Sequence, residues 1–424
     1  MTRSKIINSF LQVGDEILRP SRKRDLAKII SHLTSNPESR DLLCRDAEGL
    51  FSFIRKLDPD SQAKIVGANA LNSAERGYSN ITIEFLESFS PLQRAIVLSS
   101  KYAAFALANT GYGENLAGYF KSMEPEHKMA VLYTDLVVAS LIQADQTDLI
   151  AEVLEGASVE QQISIIAGEN VTAVLAHHGF AKFIADLVEK VDQKQGMVIL
   201  SQHGAISGLA KNGEANTVLK FTREAESNIQ AGLLTGFFAV SGLTKTGHAE
   251  SVVEILKGMA PAHCAYVLAA GNSQNVLHLV EAGFIDDVLQ FLRDMNSDCR
   301  AAVLGSYDAV YALAANGRSV EAVEFIREFD LPTQTKILKA NRSMRGLADN
   351  GQSQFVLEVL SKLDEQQRQE LLMDVKRNFY AIYNKNSNRD CTPTVEEVIR
   401  YLNNPIEGKR PKAPRAKNNP RKET

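Results

Sequence analysis

A turn residue recurs along the chain at a nearly constant interval of 34 residues. The positions are Gly77, Gly111, Asp145, Gly179, Gly213, Gly247, Gly283, Gly317 and Gly351, and one interval alone is two residues longer. Periods of this length are typical of proteins built from stacked helical repeats. The pattern predicts about nine repeats, with a degenerate tenth at residues 383–385. We therefore expect one array of repeats, and not the two or three ordinary domains that a length of 424 residues would suggest.

Apolar residues keep a fixed register to these turn residues. Leu lies four positions before the turn in every repeat except the first, which has Ser73, and further apolar positions lie seven, thirteen and fourteen residues before it. Offsets of three, four and seven residues mark one face of a helix. The register predicts an all-α fold. Each repeat would hold two antiparallel helices, such as Pro91 to Asn109 and Gly113 to Met123, with Gly ending the first one.

A helix–turn–helix unit of 34 residues with Gly in the turn resembles the tetratricopeptide repeat, and the segment Leu277 to Met295 also resembles a pentatricopeptide unit. The resemblance covers residues 47–385. The small residues that the tetratricopeptide pattern has seven before and five after the turn are replaced here, for example by Val240 and Val252. The resemblance implies a divergent, right-handed α-solenoid of about nine to ten two-helix repeats that binds protein on its concave surface.

The ends of the chain lack this register. Residues 1–46 are predicted to form an N-terminal helical cap, because the open core edge of a solenoid has to be covered. Residues 386–404, with a helix start at Thr392-Pro393, are predicted to form a C-terminal capping helix. Residues 405–424 hold four Pro and seven basic residues, a composition that predicts a disordered basic tail.

Composition and motifs exclude several classes of function. The four cysteines, Cys44, Cys264, Cys299 and Cys391, lie far apart, which favours a reducing compartment and gives no zinc-ligand spacing. The motifs of metalloproteases, nucleotide-binding loops and serine hydrolases are missing from the sequence. We therefore predict a cytoplasmic protein that is not an enzyme and holds no metal or cofactor. No apolar run reaches the ~20 residues of a membrane span, so no membrane partner is expected.

Charge is distributed unevenly along the chain. Residues 29–331 hold 22 basic and 37 acidic side chains, whereas residues 332–424 hold 18 basic and 11 acidic ones. The acidic body should repel nucleic-acid phosphates, so the predicted partner is a protein that is basic or that offers an extended or helical segment. Nucleic acid remains a candidate partner at the C-terminal end only.

Two residues in each repeat vary within the otherwise periodic first helix, ten and nine positions before the turn. As surface positions under little constraint they would carry no function; alternatively, they present different side chains to a partner. The candidate partner-binding residues are Lys101, Tyr102, Asp135, Glu169, Asn170, His203, Phe237, Tyr307, Asp308, Asn341 and Arg342. Their neighbours in the same pairs are Leu136, Gly204 and Phe238.

Basic residues concentrate near the C-terminus. They would form either a solvated face without a function or a site that binds an acidic partner or nucleic acid. Lys336, Lys339, Arg342 and Arg345 are predicted to lie on one long helix, and the tail adds Lys409, Arg410, Lys412, Arg415 and Lys417. The tail resembles a nuclear localisation signal, and a charged, unstructured C-terminus can also serve as an export signal. The main hypothesis is a protein-interaction scaffold or adaptor, with a bacterial effector acting on a host protein as one version. The alternative is a nucleic-acid-binding helical repeat protein.

Overall fold

The computed structural model describes residues 54–371, apart from residues 56, 76, 101, 135, 169, 271–273, 341 and 369. Every regular element in this part of the chain is a helix, and it contains no strand, so the predicted all-α class is confirmed. The predicted caps at residues 1–46 and 386–404, the tenth repeat around residue 384 and the tail at residues 405–424 lie outside the described residues.

The chain divides into two compact units, Met1–Leu187 and Val188–Thr424. The helices that begin in the first unit are α1 (Pro59–Glu75), α2 (Ser79–Ser88), α3 (Pro91–Leu98), α4 (Ala103–Asn109), α5 (Gly113–Lys121), α6 (Pro125–Leu132), α7 (Val137–Gln143), α8 (Thr147–Gly156), α9 (Val159–Ile166), α10 (Val171–Leu175) and α11 (Ala181–Lys190).

The second unit continues with the same kinds of helix. They are α12 (Gln193–Leu200), α13 (Ala205–Leu209), α14 (Ala215–Glu224), α15 (Ser227–Leu234), α16 (Ala239–Lys245), α17 (Ala249–Gly258), α18 (Pro261–Leu268), α19 (Asn275–Glu281), α20 (Ile285–Asp294), α21 (Ser297–Leu304), α22 (Ala309–Leu313), α23 (Ser319–Arg327), α24 (Leu331–Lys339), α25 (Ser343–Leu347) and α26 (Ser353–Lys362). At Ala176–Phe180, Ala210–Glu214, Ala314–Arg318 and Ala348–Gln352 the second helix is joined to the third through a kink, in which two residues leave the helical conformation.

Helices recur in threes along the described chain. The prediction of one long helix over Pro91 to Asn109 is wrong, because a turn between Leu98 and Ala103 separates α3 from α4. From α3 onward, each first helix has eight or nine residues, each second helix five or seven, and each third helix nine or ten. Only α1, with 17 residues, runs without this break. The prediction of two helices per repeat is therefore corrected to three.

A left-handed residue causes each break. The last residue before every second helix from α4 onward has a φ between 52° and 71°. These residues are Tyr102, Leu136, Asn170, Gly204, Phe238, Gln274, Asp308 and Arg342. A left-handed residue cannot continue a right-handed α-helix. The apolar register did not reveal the break, because the second helix resumes with its apolar residues on the buried side.

The turns at the 34-residue period have the conformation that the sequence predicts. Gly and Asp145 at these positions all have positive φ, between 56° and 97°. At Gly111 the next backbone N–H, from Tyr112, donates to the carbonyl of Leu107 at 3.0 Å, and His248 donates to Leu243 in the same way at 2.9 Å. This hydrogen bond is the mark of the Schellman motif, so each of these turns ends a second helix and starts a third one.

The core of the described chain is made by the residues that keep register. All eight leucines four positions before a turn are buried, with at most 1% of their surface exposed: Leu107, Leu141, Leu175, Leu209, Leu243, Leu279, Leu313 and Leu347. The apolar pairs that end the first helices, such as Val97 with Leu98, are buried equally well. Burying one such side chain stabilises the fold by roughly 1.5–3 kcal/mol.

Second helices of neighbouring repeats pack directly on one another. In the second compact unit α13 contacts α16, α16 contacts α19, α19 contacts α22 and α22 contacts α25. Two of these contacts depend on glycine. A Cβ on Gly242 would lie 2.6 Å from the Cα of Ser207, and a Cβ on Gly346 would lie 2.8 Å from the Cα of Tyr311. Any side chain at these positions would push the helices apart.

Arginines on first helices also join neighbouring repeats. Arg94 on α3 donates from Nε to the carbonyl of Leu86 at 2.8 Å, and Arg300 on α21 donates to that of Leu292 at the same distance. Each guanidinium therefore satisfies a carbonyl at the C-terminal end of the preceding third helix, where positive charge is favourable. Consecutive repeats are tied together by polar as well as apolar contacts.

One helical stretch among the described residues, Val171–Lys190, is long and apolar enough to cross a membrane, with a mean hydropathy of 1.3. It is not a continuous helix. His178 and Gly179 leave the helical conformation, with a φ of 94° at Gly179, so the stretch consists of α10 and α11 joined by a turn. More than half of it is buried within the protein, as is typical of core helices.

Candidate interaction surface

The turns between first and second helices bring together the variable residues of the repeats. In the second compact unit these turns are residues 201–204, 235–238, 269–274, 305–308 and 340–342, of which 271–273 and 341 are not described. We call this set the turn ridge. Side chains of successive turns contact one another in two parts of it, between residues 201–204 and 235–238 and among residues 269–274, 305–308 and 340–342.

Aromatic rings form one part of the turn ridge. The ring of His203 stacks on that of Phe237 from the next repeat, with 4.1 Å between centroids and 22° between planes. Phe237 in turn lies 3.9 Å from the ring of Phe238. The two phenylalanines still expose 36% and 43% of their surface. Exposed aromatic rings that neighbouring contacts hold in place are typical of the residues that dominate protein interfaces.

A buried carboxylate joins three successive repeats in the other part. Gln274 donates from Nε2 to Oδ2 of Asp308 at 2.8 Å. Arg342 donates from Nε to Oδ1 of the same carboxylate at 2.8 Å, and its Nη2 contacts Oδ2. Asp308 has no exposed surface. A bidentate arginine pair of this kind satisfies a buried carboxylate in charge and in geometry.

Arg342 is fixed from two sides. Its guanidinium lies 4.1 Å from the centroid of the Tyr311 ring, which adds a cation–π contact. The hydrogen bond to Asp308 raises the pKa of Arg342 above its ordinary value, although partial burial acts in the opposite direction. Arg342 is therefore a structural cation of the ridge.

The turn ridge retains side chains where glycine would fold with less strain. A left-handed conformation costs about 1–2 kcal/mol for a residue that has a Cβ. At the period turns the chain uses Gly at all but Asp145, yet at the last residue of the ridge turns it uses Gly only at Gly204. Bulky residues such as Phe238 in this conformation are uncommon. Strain that persists where a simpler residue was available points to a use for the side chain.

Three of the five first helices that lead into the turn ridge, α12, α15 and α18, form with their turns a surface almost without charge. Residues 227–238 and 261–274 contain no Lys, Arg, Asp or Glu, and residues 193–204 contain Lys194 alone. Most of the large apolar side chains that the second unit exposes lie on first helices and ridge turns: Val198, Phe237, Phe238, Tyr266 and Tyr307. Tyr266 and Tyr307 expose 63% and 42% of their surface. Exposed apolar surface of this extent marks interaction sites on soluble proteins.

The structure brings together some of the predicted partner-binding residues. His203, Phe237, Tyr307, Asp308 and Arg342 lie on the turn ridge. Tyr102 and Asn170 occupy the equivalent left-handed positions in the first compact unit and are half-buried. Lys101, Asp135, Glu169 and Asn341 lie outside the described residues.

Sequence analysis missed three residues of this surface. Gln274 was missed because the two extra residues of its repeat fall in its ridge turn and shift it out of register. Val198 and Tyr266 lie on first helices, and their apolar character at an outward position of an otherwise amphipathic helix is a signal that could have identified them.

The predicted basic patch is not one helix. Lys336 and Lys339 lie on α24, Arg342 lies in the following turn, and Arg345 lies on α25, because the left-handed residue at Arg342 divides the helix. Arg342 pairs with Asp308, and Nε of Arg345 pairs with Oδ2 of Asp349 at 3.2 Å. The predicted tail residues Lys409, Arg410, Lys412, Arg415 and Lys417 lie outside the described residues.

Other chemically active groups lie away from the turn ridge. Burial raises the pKa of the Cys264 thiol to about 12, which removes the thiolate that a nucleophile needs. Within residues 54–371, as far as they are described, no group of three His, Cys, Asp or Glu side chains could hold a metal ion. A pocket of about 390 Å³ beside α12 and α14 contains the Glu189–Lys220 ion pair, whose atoms are 3.8 Å apart.

Comparison with protein-family models and with curated protein sequences finds no match to this chain. What the protein does is therefore inferred from the turn ridge and from the helices that carry it.

Proposed function

We propose that this chain is a non-enzymatic protein-interaction scaffold whose partner binds along the turn ridge of the second compact unit. The proposal rests on one observation: the turn ridge exposes four aromatic side chains, His203, Phe237, Phe238 and Tyr307. Each lies in a turn that has no charged residue or that ends in a left-handed residue with a Cβ. Side chains from several repeats would each contribute a small part of the binding free energy. The rings at the centre of the row would contribute most of it.

The proposal includes a solenoid arrangement of the repeats. First and second helices contact their counterparts in the next repeat, and Gly242 and Gly346 allow the second helices to approach closely. Stacking of this kind buries a continuous core between neighbours. If the first and second helices lie on the tighter side of the stack, the turn ridge faces inward along a concave surface, where an extended or helical segment would contact several repeats.

A photo-crosslinking experiment tests the position of the partner. A photoreactive phenylalanine analogue replaces Tyr307 in the full chain, and a matched control carries it at Val320, an exposed apolar residue on the third helix α23. We expect one protein to crosslink at position 307 and not at position 320. We also expect a Phe237→Ser, Phe238→Ser variant to abolish this crosslink.

Binding of the isolated partner then measures the contribution of the rings. The double variant should weaken binding at least 10-fold, which corresponds to about 1.4 kcal/mol. Equal crosslinking at both positions, or unchanged affinity of the double variant, would contradict a partner on the turn ridge.

The alternative function, nucleic-acid binding at the C-terminal end, has less support. The carboxylates of Asp308 and Asp349 neutralise Arg342 and Arg345 of the predicted basic patch. Fluorescence anisotropy with a labelled 20-nucleotide RNA at about 50 mM salt distinguishes the two functions. Tight binding that weakens steeply with salt would favour nucleic acid, and we expect none.

A further inference from the structure

The fourth residue of most first helices reaches the preceding third helix with its side chain. In five of the eight first helices from α3 to α24 it donates to a carbonyl at or just beyond the C-terminal end of that helix, at 2.8 to 3.2 Å. The five residues are Arg94, Gln162, Gln230, Arg300 and Gln334. Lys128 and Cys264 also have a side chain at this position, whereas Gly196 on α12 has none. Gly196 therefore cannot make this contact with the end of α11.

Where the fourth residue is an arginine, it fills a cleft between two third helices. Arg300 donates from Nε to the carbonyl of Leu292 on α20 at 2.8 Å. Its guanidinium also lies 5.3 Å from the centroid of the Phe325 ring on α23, and its Nη1 pairs with Glu328. The corresponding contacts of Arg94 are those with Leu86, Tyr119 and Ser122. A helix end, an aromatic face and a polar side chain thus form a guanidinium site within the chain.

The cleft beside Gly196 retains the same kinds of partner without an arginine. In the repeat register, Val188, Phe221 and Glu224 occupy the places of the three residues that contact Arg300. All three line a cavity of about 390 Å³, whose walls come from the end of α11, the start of α12 and α14. A Cβ on Gly196 would lie 2.4 Å from Cε2 of Phe221, so the ring lies against the glycine. The repeat that lacks the arginine therefore has a cavity lined by the partners of one.

The charges around the cavity favour a cation. The last carbonyls of a helix have no partner within it and carry partial negative charge, and Val188 lies in the last turn of α11. No side chain of the described residues donates to its carbonyl. Glu189 and Glu224 add two carboxylates to the lining and Lys220 adds one ammonium, whose Nζ lies 3.8 Å from Oε1 of Glu189. One carboxylate is thus in excess.

We propose that this cavity binds a guanidinium group that another molecule supplies. The group would donate to the carbonyl of Val188 and to the carboxylate of Glu224, and its face would lie on the ring of Phe221. A planar guanidinium can make these three contacts together, whereas an ammonium is a compact point charge. The turn ridge contributes no residue to this lining, so the proposal does not rest on the proposed function.

Saturation-transfer NMR on the full chain tests the selectivity of the site. The probe is N-acetyl-L-arginine N-methylamide, and its control is the corresponding lysine derivative. We expect the side-chain signal of the arginine derivative to be at least fivefold larger. Equal signals, which an unselective acidic surface would give, or no signal from the arginine derivative would overturn the proposal.

A variant of Gly196 supplies the guanidinium from the chain itself. The three atoms nearest to a Cβ on Gly196 all belong to the Phe221 ring, which can turn aside as a side chain. We expect Gly196→Arg to stay folded by circular dichroism and to reduce the signal of the arginine probe at least fivefold. An undiminished signal in the folded variant would show that the probe binds elsewhere and would refute the site.

Glu224→Gln keeps the test decisive if the Gly196 variant does not fold. It should reduce the probe signal at least threefold, because the carboxylate that pairs with the guanidinium is lost. Glu250→Gln is the matched control, since Glu250 is an exposed carboxylate on α17 outside the lining. We expect it to leave the signal unchanged. Equal effects of the two substitutions would reject a specific site.

Competition by free L-arginine identifies the source of the group. Displacement of the probe at a concentration at least tenfold below that of the unlabelled probe would identify a small molecule whose α-groups are also bound. Equal or weaker displacement would identify an arginine within a polypeptide, where these groups are uncharged as in the probe. Either result supports a guanidinium site, and no displacement by either competitor would overturn it.

Discussion

At the scale of single residues, the left-handed positions of the turn ridge are the unusual feature of this chain. Phe238 has a φ of 60° and keeps a side chain whose surface is 43% exposed. A glycine there would relieve strain, and the equivalent Gly204 shows that the turn accepts it. We therefore propose that this side chain is kept for binding, in line with the proposed function.

Two substitutions at Phe238 test this interpretation. Phe238→Gly should change the free energy of unfolding by less than about 1 kcal/mol, because relief of strain offsets the lost contact with Phe237. Phe238→Val should lower it by about 1–2 kcal/mol, because a β-branched residue adopts a left-handed conformation poorly. Urea denaturation measures both values. A valine variant as stable as the glycine variant would show that the turn is not left-handed.

At the scale of elements, contacts between neighbouring repeats stabilise the second compact unit. The pair formed by Asp308 and Arg342 is such a contact, since the two residues lie 34 positions apart. Removing one partner of a buried ion pair leaves an uncompensated charge.

Arg342→Met should therefore lower the free energy of unfolding by about 3–5 kcal/mol. The double variant with Asp308→Asn should recover part of this loss, because no buried charge remains. A double-mutant cycle by urea denaturation measures the coupling. Arg223→Met is the control: its pair with Glu254 is exposed, and its loss should cost less than about 1 kcal/mol. Equal losses for Arg342→Met and Arg223→Met would argue against a buried pair.

Two glycines in neighbouring helices give a second test at this scale. Gly242 on α16 faces the backbone of Ser207, whereas nothing lies within 4 Å of a Cβ built on Gly232 in α15. Gly242→Ala should destabilise the protein by about 1–3 kcal/mol through the clash. Gly232→Ala should stabilise it by up to about 1 kcal/mol through helix propensity. Thermal denaturation measures the change in stability for each variant. Changes of the same sign in the two variants would contradict the close packing of α13 on α16.

At the scale of the whole molecule, the question is how far a local change spreads. In a stack of repeats, stability is carried by each repeat and by its contacts with neighbours. In a compact globule, loss of one core residue would weaken all helices together.

Leu243→Ala in the core of α16 distinguishes these cases. The substitution should cost about 2–5 kcal/mol. Hydrogen exchange measured by mass spectrometry should rise most in α13, α16 and α19 and least in α26. Val198→Ala, at an exposed position, is the control and should leave the exchange rates unchanged. A uniform rise across residues 193–362 after Leu243→Ala would refute the solenoid.

The sequence alone predicted those features of the fold that depend on local patterns. The period, the left-handed glycines, the buried leucines and the third helix that begins at Gly113 follow from residue spacing and from the conformational freedom of glycine. The division of each long helix did not follow, because Tyr102, Leu136 or Phe238 in a left-handed conformation has no local signature. A residue with a Cβ favours the right-handed conformation, so spacing and propensity predict an unbroken helix there.

Only the tertiary structure decided which variable residues face solvent and which face each other. The sequence gives no sign that Asp308 and Arg342 are related. In the structure Asp308 is buried, and its carboxylate accepts a hydrogen bond from Arg342. Phe237 and Tyr307 occupy the same place in their repeats and remain exposed. Asp308 and Arg342 contact each other across 34 residues of sequence. Local periodicity cannot encode these contacts, because they exist only after the repeats have stacked.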